Sequence, residues 1–162
     1  MVKGYLANGL FSLGDRMVND LISEQVRKFF PKIDLYVPQE NESINNKQSF
    51  ANSIDIANAD LEKLKESDFL IAVLDGVEID SGVAAEIGYF ASTGKPIFGI
   101  FTDVRQQGTD NIKKIEALQN EVCENQFVYR NLFVIGLIKK HGVIIECFSE
   151  LNHEMVKRLN FG

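Results

Sequence analysis

The fold is constrained most strongly by the run of residues 68–74, Asp-Phe-Leu-Ile-Ala-Val-Leu. After Asp68 every residue is apolar, without the alternation of a strand that has one wet face. Such a run is typical of a parallel strand that is buried on both faces of a sheet. Parallel neighbours need crossover connections, so the run predicts an α/β protein in which helices cover the sheet.

Further strands and helices alternate along the chain. The spacing of apolar residues predicts strands over 2–7, 33–37 and 97–101, and helices over 15–30, 50–65, 81–93, 111–121, 131–140 and 149–159. The polar segment 39–49 predicts a surface loop, and the pattern leaves residues 143–145 open between strand and loop. This order predicts one doubly wound parallel sheet flanked by helices, in a single domain over residues 1–162.

The composition limits the chemistry. The 17 Lys and Arg residues against 23 Asp and Glu residues give a net charge of −6, which argues against nucleic-acid polymers and anionic membranes as partners. No apolar run approaches the ~18 residues of a membrane span. Two widely spaced cysteines, Cys123 and Cys147, favour a cytoplasmic location, and two histidines are too few for an obvious metal centre. We therefore expect carboxylates to carry most of the chemistry.

One carboxylate has an unusual setting. Residues 81–94 contain a single charged residue, Glu86, on the helix predicted after the most apolar strand. Doubly wound sheets bind ligands beyond the carboxyl ends of their strands, and a carboxylate buried there would need partners. Glu86 could instead point to water near the helix N-terminus, and Asp80 has the position of an ordinary N-cap. The residues alone leave these interpretations open.

Several short blocks follow one another in a recognisable order. They are 5–12 (YLANGLFS), Asp60 before Leu61, 80–89 (DSGVAAEIGY), 94–96 (GKP) and 131–136 (NLFVIG). The most specific is the third, with Asp80, Gly82, Glu86, Gly88 and Tyr89 at fixed spacing. Together the blocks resemble the nucleoside 2-deoxyribosyltransferase family, from Val2 to about Gly136.

The resemblance implies a flavodoxin-like α/β fold and exchange of the base between a 2′-deoxyribonucleoside and a free nucleobase, with no cofactor and no metal. Glu86 matches the nucleophile of the family and Tyr5 the hydroxyl that holds it. Asp60 and Asp80 match the carboxylates that meet the base. Asn131 matches an asparagine that a neighbouring subunit supplies, which implies a homo-oligomer.

The same blocks carry the expected substrate contacts, which are Gly9, Phe11, Ser81, Gly82 and Phe133. Family members often end in an aromatic residue, commonly Tyr, that reaches the site. This chain ends in Asn-Phe-Gly at 160–162, which has no phenol, so that role is not transferred.

The implied residue types suit the reaction. Breaking an N-glycosidic bond passes through an oxocarbenium-like sugar, which the carboxylate of Glu86 would stabilise and then bond. A protonated Asp80 would supply the proton that the leaving base needs, and Asp60 would fix the edge of the base. Tyr5 and Asn131 are neutral donors that would orient Glu86 without quenching its charge.

Two other functions remain open. The first is hydrolysis of the N-glycosidic bond of (deoxy)nucleoside 5′-monophosphates, an activity of relatives that often have a serine where Asp80 stands; the neighbouring Ser81 keeps it open. The second is a non-catalytic nucleotide-binding module. The sequence also leaves open the range of bases, the exclusion of ribonucleosides and the size of the oligomer.

Overall fold

A computed structural model of the protein describes residues 1–46 and 50–159. Within these residues the strands are β1 (Val2–Ala7), β2 (Ile33–Tyr36), β3 (Phe69–Val73), β4 (Ile97–Ile100) and β5 (Val143–Ile145). The helices are α1 (Leu13–Phe29), α2 (Glu42–Asn45), α3 (Ser53–Glu66), α4 (Ser81–Ala91), α5 (Ile112–Asn120), α6 (Leu132–His141) and α7 (Leu151–Arg158). All strand pairs are parallel, in the order β2-β1-β3-β4-β5.

Helices pack on both faces of this sheet. Apolar side chains of α1 and α7, among them Ile22, Val26 and Met155, form the core on one face. Those of α3, α4 and α6, such as Leu64 and Ile87, form the core on the other. Every residue of β3 is buried, as its unbroken apolar sequence predicts. The doubly wound, flavodoxin-like fold is therefore confirmed.

The strand order creates a crevice at one place in the sheet. From β1 the chain crosses by α1 to β2 on one side, and then returns past β1 to β3 on its other side. Ligands of such folds bind outside the carboxyl ends of the strands where the winding reverses. In this protein that position lies beside the carboxyl ends of β1 and β3.

The structure corrects several predicted boundaries. The prediction of a loop over 39–49 is wrong for most of that segment, which contains a 3-10 turn at Pro38–Glu40 and the helix α2; residues 47–49 lie outside the described part. Asn41 caps α2 through a bond from the Ser43 amide, so local capping orders this polar sequence. Similarly, the helix predicted from residue 50 begins at Ser53 because Asn52 caps it.

Smaller differences concern the end of the chain. Residues 143–145 form the edge strand β5, which has only three residues and therefore too short a pattern to identify. The helix predicted from 149 begins with a 3-10 turn, Phe148–Glu150. The tail 160–162 lies outside the described residues. No helix in the described part of the chain is long and apolar enough to cross a membrane.

Candidate active site

Tyr5 and Glu86 meet at the crevice. Tyr5, in β1, is completely buried, and its hydroxyl donates a hydrogen bond of 2.5 Å to Glu86 Oε1. Glu86, on α4, is partly buried. The long apolar side chains of α4, including Val83, Ile87 and Phe90, hold this helix on the sheet. Glu86 therefore does not simply point to water; it has the buried partner that a carboxylate needs there.

The environment of Glu86 raises its pKa from the ordinary 4.5 to about 7. Burial is the main cause, because it penalises the charged form. The hydrogen bond from Tyr5 opposes this effect, whereas the negative charges of Asp60 and Asp80 add to it. The pKa of Tyr5 is raised strongly, by burial and by the charge of Glu86, so Tyr5 stays a neutral donor. A carboxylate near half-ionisation at neutral pH is a feature of functional sites.

Asp60 lies on α3, beside the same tyrosine. Its side chain is half-buried, and burial raises its pKa. The Tyr5 hydroxyl partly offsets that rise by stabilising the carboxylate. Asp60 in turn raises the pKa of both Tyr5 and Glu86. The structure thus gathers Tyr5, Glu86 and Asp60 around one hydroxyl.

Asp80 has a structural role that the sequence also indicated. It is the N-cap of α4, and its Oδ1 accepts hydrogen bonds from the backbone amides of Gly82 (2.8 Å) and Val83 (3.1 Å). Both bonds use one oxygen, so Oδ2 is left for another partner. Asp80 is exposed and close enough to Glu86 to raise its pKa. The cap interpretation is confirmed, and it leaves room for contact with a substrate.

The other expected contacts are mostly exposed on the single chain. Asn131 caps α6 through bonds from the amides of Phe133 (3.0 Å) and Val134 (3.3 Å), and within the described chain it makes no bond to Glu86. The Phe133 side chain is 74% exposed and that of Phe11 is 79% exposed. Ser81 and Gly82 are exposed at the start of α4, and Gly9 lies in the loop that follows β1. These residues are therefore mostly exposed to solvent around the crevice.

Tyr36 is a neighbour of the pair that sequence reasoning missed. It ends β2, and its ring centroid lies 5.3 Å from that of Tyr5. Asn41 Nδ2 donates to its hydroxyl at 2.9 Å, and the Lys63 ammonium lies 5.7 Å from the ring centroid. The available signal was its position at the carboxyl end of a predicted strand, because that end borders the crevice.

Arg130 is a second missed residue, next to Asn131. Its guanidinium donates to the carbonyls of Leu74 (2.8 Å) and Gly76 (2.7 Å) and lies 4.8 Å from the ring centroid of Phe101. These contacts join the start of α6 to the loop between β3 and α4, which leads to Asp80. No local pattern marks such a residue, since its bonds to the carbonyls of Leu74 and Gly76 reach more than fifty positions along the chain.

No set of three or more His, Cys, Asp or Glu side chains in residues 1–46 and 50–159 is placed to hold a metal ion. Cys123 and Cys147 are free thiols on the surface. At the crevice the structure brings together the carboxylates of Glu86 and Asp60 and the phenol of Tyr5.

Comparison with known proteins gives a family match over most of the chain. A family model described as nucleoside 2-deoxyribosyltransferase matches residues 5–155. The chain belongs to the nucleoside 2-deoxyribosyltransferase family. The match includes Tyr5, Asp60, Asp80, Glu86 and Asn131, so the resemblance of the sequence blocks to this family is confirmed. A search of curated proteins found no match.

Solved structures place this deoxyribosyltransferase-family chain among proteins of the same fold. A conserved protein from Enterococcus faecalis V583 is 48% identical to it over 98% of this chain and 99% of its own, with a TM-score of 0.92. A 2-desoxiribosyltransferase from Leishmania mexicana is 19% identical over 97% and 98%, with a TM-score of 0.65. A CMP N-glycosidase from Clostridium botulinum is 17% identical over 97% and 99%, with a TM-score of 0.50. The latter two likenesses establish the fold.

Proposed function

We propose that this protein exchanges the nucleobase of 2′-deoxyribonucleosides through a covalent deoxyribosyl–Glu86 intermediate. The observation that carries the proposal is the hydrogen bond between the buried Tyr5 hydroxyl and Glu86 at the crevice. Membership of the deoxyribosyltransferase family supports the class of reaction. With a pKa of about 7, Glu86 has a large ionised fraction at neutral pH, and only the ionised form is a nucleophile.

In the first half-reaction a Glu86 oxygen attacks C1′ of the nucleoside. The C1′–N bond breaks as the C1′–O bond forms, and its electron pair leaves with the base, which takes up a proton. The negative charge of Glu86 stabilises the positive charge that develops on the sugar. Tyr5 holds the carboxylate in place without neutralising it, since its own raised pKa keeps it uncharged.

In the second half-reaction a nitrogen of another base attacks C1′. The ester C1′–O bond breaks, its electron pair returns to Glu86, and the incoming base loses its proton to the group that donated in the first step. Each displacement inverts C1′, so the product has the configuration of the substrate. Water must be excluded for a base to capture the intermediate.

Two carboxylates, Asp60 and Asp80, are available to donate the proton and to bind the base. Burial raises the pKa of Asp60, which favours a protonated fraction and suits it to donate to the leaving base. Asp80 is exposed at the N-terminus of α4, with Oδ2 available to accept a hydrogen bond from an amino or imino group of the base. The sequence suggested Asp80 as the proton donor and Asp60 as the residue that fixes the base. The burial of Asp60 favours the opposite assignment, with Asp60 as the donor and Asp80 as the contact to the base.

The charge around Glu86 supports uncharged nucleosides as substrates. Among the described residues, the charged groups that raise the pKa of Glu86, Asp60 and Asp80, are both acidic. A phosphate group would be repelled by this cluster, whereas a nucleoside and a free base carry no such charge. The exposed cysteines fit the reducing cytoplasm, where nucleosides are available for salvage.

We also propose that the site is completed in a homo-oligomer. Leu132 and Phe133, which follow Asn131, are 84% and 74% exposed on the single chain. Large apolar side chains at such exposure favour burial against a second copy. A neighbouring subunit would then bring its Asn131 toward Glu86 and help to exclude water.

Base exchange is tested by incubating the purified protein with 2′-deoxyinosine and free cytosine or adenine, and separating the products by chromatography. We expect 2′-deoxycytidine or 2′-deoxyadenosine, with loss of activity in Glu86→Gln and retention in Glu116→Gln, an exposed glutamate on α5. Release of hypoxanthine without a new nucleoside, or activity only on monophosphates, would instead identify a hydrolase.

A covalent intermediate is tested with a 2-fluoro-2-deoxy nucleoside, which slows breakdown of the sugar ester. Mass spectrometry of the digested protein should find the added sugar on the peptide that contains Glu86. Full turnover by Glu86→Ala would refute the mechanism. Binding of nucleosides without adduct or turnover would identify a non-catalytic module.

A further inference from the structure

Asn19 on α1 is a buried amide that bonds away from its own helix. It is 2% exposed, one of three buried polar residues in the described part of the chain. Its Oδ1 accepts from Asn8 Nδ2 at 2.9 Å. Its Nδ2 donates to the carbonyl of Gly9 at 3.0 Å and to Gln39 Oε1 at 2.9 Å. Burial of an amide is costly unless it is bonded, and here both ends of the side chain are satisfied.

These bonds connect two segments that are distant in sequence. Asn8 and Gly9 follow β1, the strand of Tyr5, whereas Gln39 follows β2, the strand of Tyr36. Gln39 is fixed further, because its Nε2 donates to Asp20 Oδ1 at 2.6 Å. The Asn19 side chain therefore links, by hydrogen bonds, the segment that follows β1 and the segment that follows β2 at the crevice.

Both tied segments border the Tyr5–Glu86 pair. The first continues β1 directly beyond Ala7. The second contains Asn41, which holds the hydroxyl of Tyr36, whose ring packs on that of Tyr5. The first segment also packs closely on α1, since a Cβ at Gly9 would lie 3.0 Å from the Asp15 carboxylate. A shift in either segment would therefore change the wall of the crevice.

We infer that Asn19 is a positioning residue, which holds the segments after β1 and β2 in the arrangement that receives the substrate. It does not touch the reacting atoms; it acts through Gly9 and Gln39. The inference rests on the proposed function for its kinetic consequence, and on the hydrogen bonds alone for its structural one. A fully satisfied buried polar network fixes one arrangement, which an apolar residue of similar size would not do.

The kinetic test compares Asn19→Asp, Gln39→Ala and Ser23→Ala. Aspartate keeps the size of Asn19 and accepts from Asn8. Its ionised carboxylate cannot donate to Gly9 or Gln39, and its protonated form can donate to only one of them. Ser23 is a matched control, because it is buried one turn along the same helix and, among the described residues, its hydroxyl bonds to the Asp20 carbonyl of that helix. We expect Asn19→Asp and Gln39→Ala to raise KM for the nucleoside about tenfold or more, with kcat within about threefold of wild type.

The kinetic result distinguishes an effect of Asn19 on substrate binding from an effect on the stability of the fold. Assays are run well below the midpoint of thermal unfolding of each variant, measured by circular dichroism. A folded Asn19→Asp with KM within about twofold of wild type overturns the inference. An equal rise of KM in Ser23→Ala overturns it too, since loss of any buried bond in α1 would then suffice.

A structural readout works without catalysis. In ¹H–¹⁵N spectra, Gln39→Ala should move the backbone amide signals of Gly9 and Leu10, because the Gly9 carbonyl and Gln39 share the Asn19 Nδ2 donor, whereas Ser23→Ala should leave them in place. If the wild-type protein exchanges no base, the proposed function is refuted. The spectra then test by themselves whether Asn19 links the segments after β1 and β2. Unchanged Gly9 and Leu10 signals in Gln39→Ala refute that link.

Discussion

The Tyr5 hydroxyl and the Glu86 carboxylate form a 2.5 Å hydrogen bond although 81 residues separate them in the sequence. A bond this short between a hydroxyl and a carboxylate is typical of a charge-assisted pair. It stabilises the ionised form of Glu86 against the burial that raises its pKa. The pair therefore balances two needs of a nucleophile, which are a low-dielectric setting and an available negative charge.

Loss of this bond should change both the rate and its pH dependence. We expect Tyr5→Phe to lower kcat for base exchange about 10- to 100-fold, the equivalent of one hydrogen bond to a charged group. Because the bond lowers the pKa of Glu86, its removal should move the acidic limb of the kcat/KM profile above the wild-type position near pH 7. The measurement is a pH–rate profile for each protein.

Tyr129→Phe is the control for that experiment. Tyr129 is 72% exposed, so loss of its hydroxyl should leave rate and profile unchanged. An acidic limb of Tyr5→Phe that stays in place, or moves to lower pH, would contradict the role assigned to the Tyr5 hydroxyl.

The raised pKa of Glu86 also has a cost in stability. In the unfolded chain this carboxyl has its ordinary pKa of 4.5, against about 7 in the folded protein. The unfolded state therefore releases the proton first, and folding stability falls as pH rises from 4.5 to about 7. The full penalty above pH 7 is about 3 kcal/mol, and below pH 4.5 it is absent.

Glu86→Gln removes that penalty while its Oε1 can still accept from Tyr5. We expect the free energy of unfolding in urea to rise by about 3 kcal/mol at pH 8 and to change little at pH 4. Glu116→Gln should show no such difference between the two values of pH. A gain that is equal at pH 4 and pH 8 would contradict the assignment, because it could not come from ionisation of Glu86.

The fold was more predictable than the site's surroundings, for physical reasons. The strand Val2–Ala7 has the predicted bounds, and the apolar run around β3 identified the sheet, because burial is encoded locally in residue type. The segment after β2 was misjudged, since its order comes from capping by Asn41 and from contacts with α1.

The candidate site was likewise predictable only in part. Glu86 stood out because it is the single charged residue in an apolar helix, but its partner could be named only from the resemblance to the family. Asn19 and Tyr36 went unnoticed, because their importance lies in side-chain bonds to the segment after β2, which the periodicity of apolar residues does not record. Arg130 is similar, with partners that are carbonyl groups.

Two substitutions of Asp80 distinguish its role as the cap of α4 from contact with the base. Asparagine can also cap a helix through its side-chain oxygen, so Asp80→Asn should change the free energy of unfolding by less than about 0.5 kcal/mol. Asp80→Ala should lose about 1 kcal/mol, since the amides of Gly82 and Val83 lose their acceptor. If Asp80 accepts a hydrogen bond from the base, both variants should lose activity to a similar extent, roughly 10- to 100-fold, the equivalent of one hydrogen bond to a charged group. Full activity in Asp80→Asn would reduce Asp80 to a cap.

Sharing of the site between subunits can be tested by mixing two inactive variants. Glu86→Gln lacks the nucleophile, and Asn131→Ser lacks the amide while serine can still cap α6. In a symmetric dimer with Asn131 acting across the interface, a mixed dimer has one site with both native residues and one site with neither. Co-expression should then restore about a quarter of the wild-type activity, because about half of the dimers are mixed and half of their sites are intact.

The control replaces the Asn131→Ser partner with the Glu86→Gln, Asn131→Ser double variant. No intact site can form in that mixture, so base exchange should stay at the level of Glu86→Gln. If the first mixture also stays inactive although mass spectrometry detects mixed dimers, Asn131 does not act across the interface. Full activity of Asn131→Ser by itself would confine Asn131 to capping α6, where its side chain bonds to the amides of Phe133 and Val134.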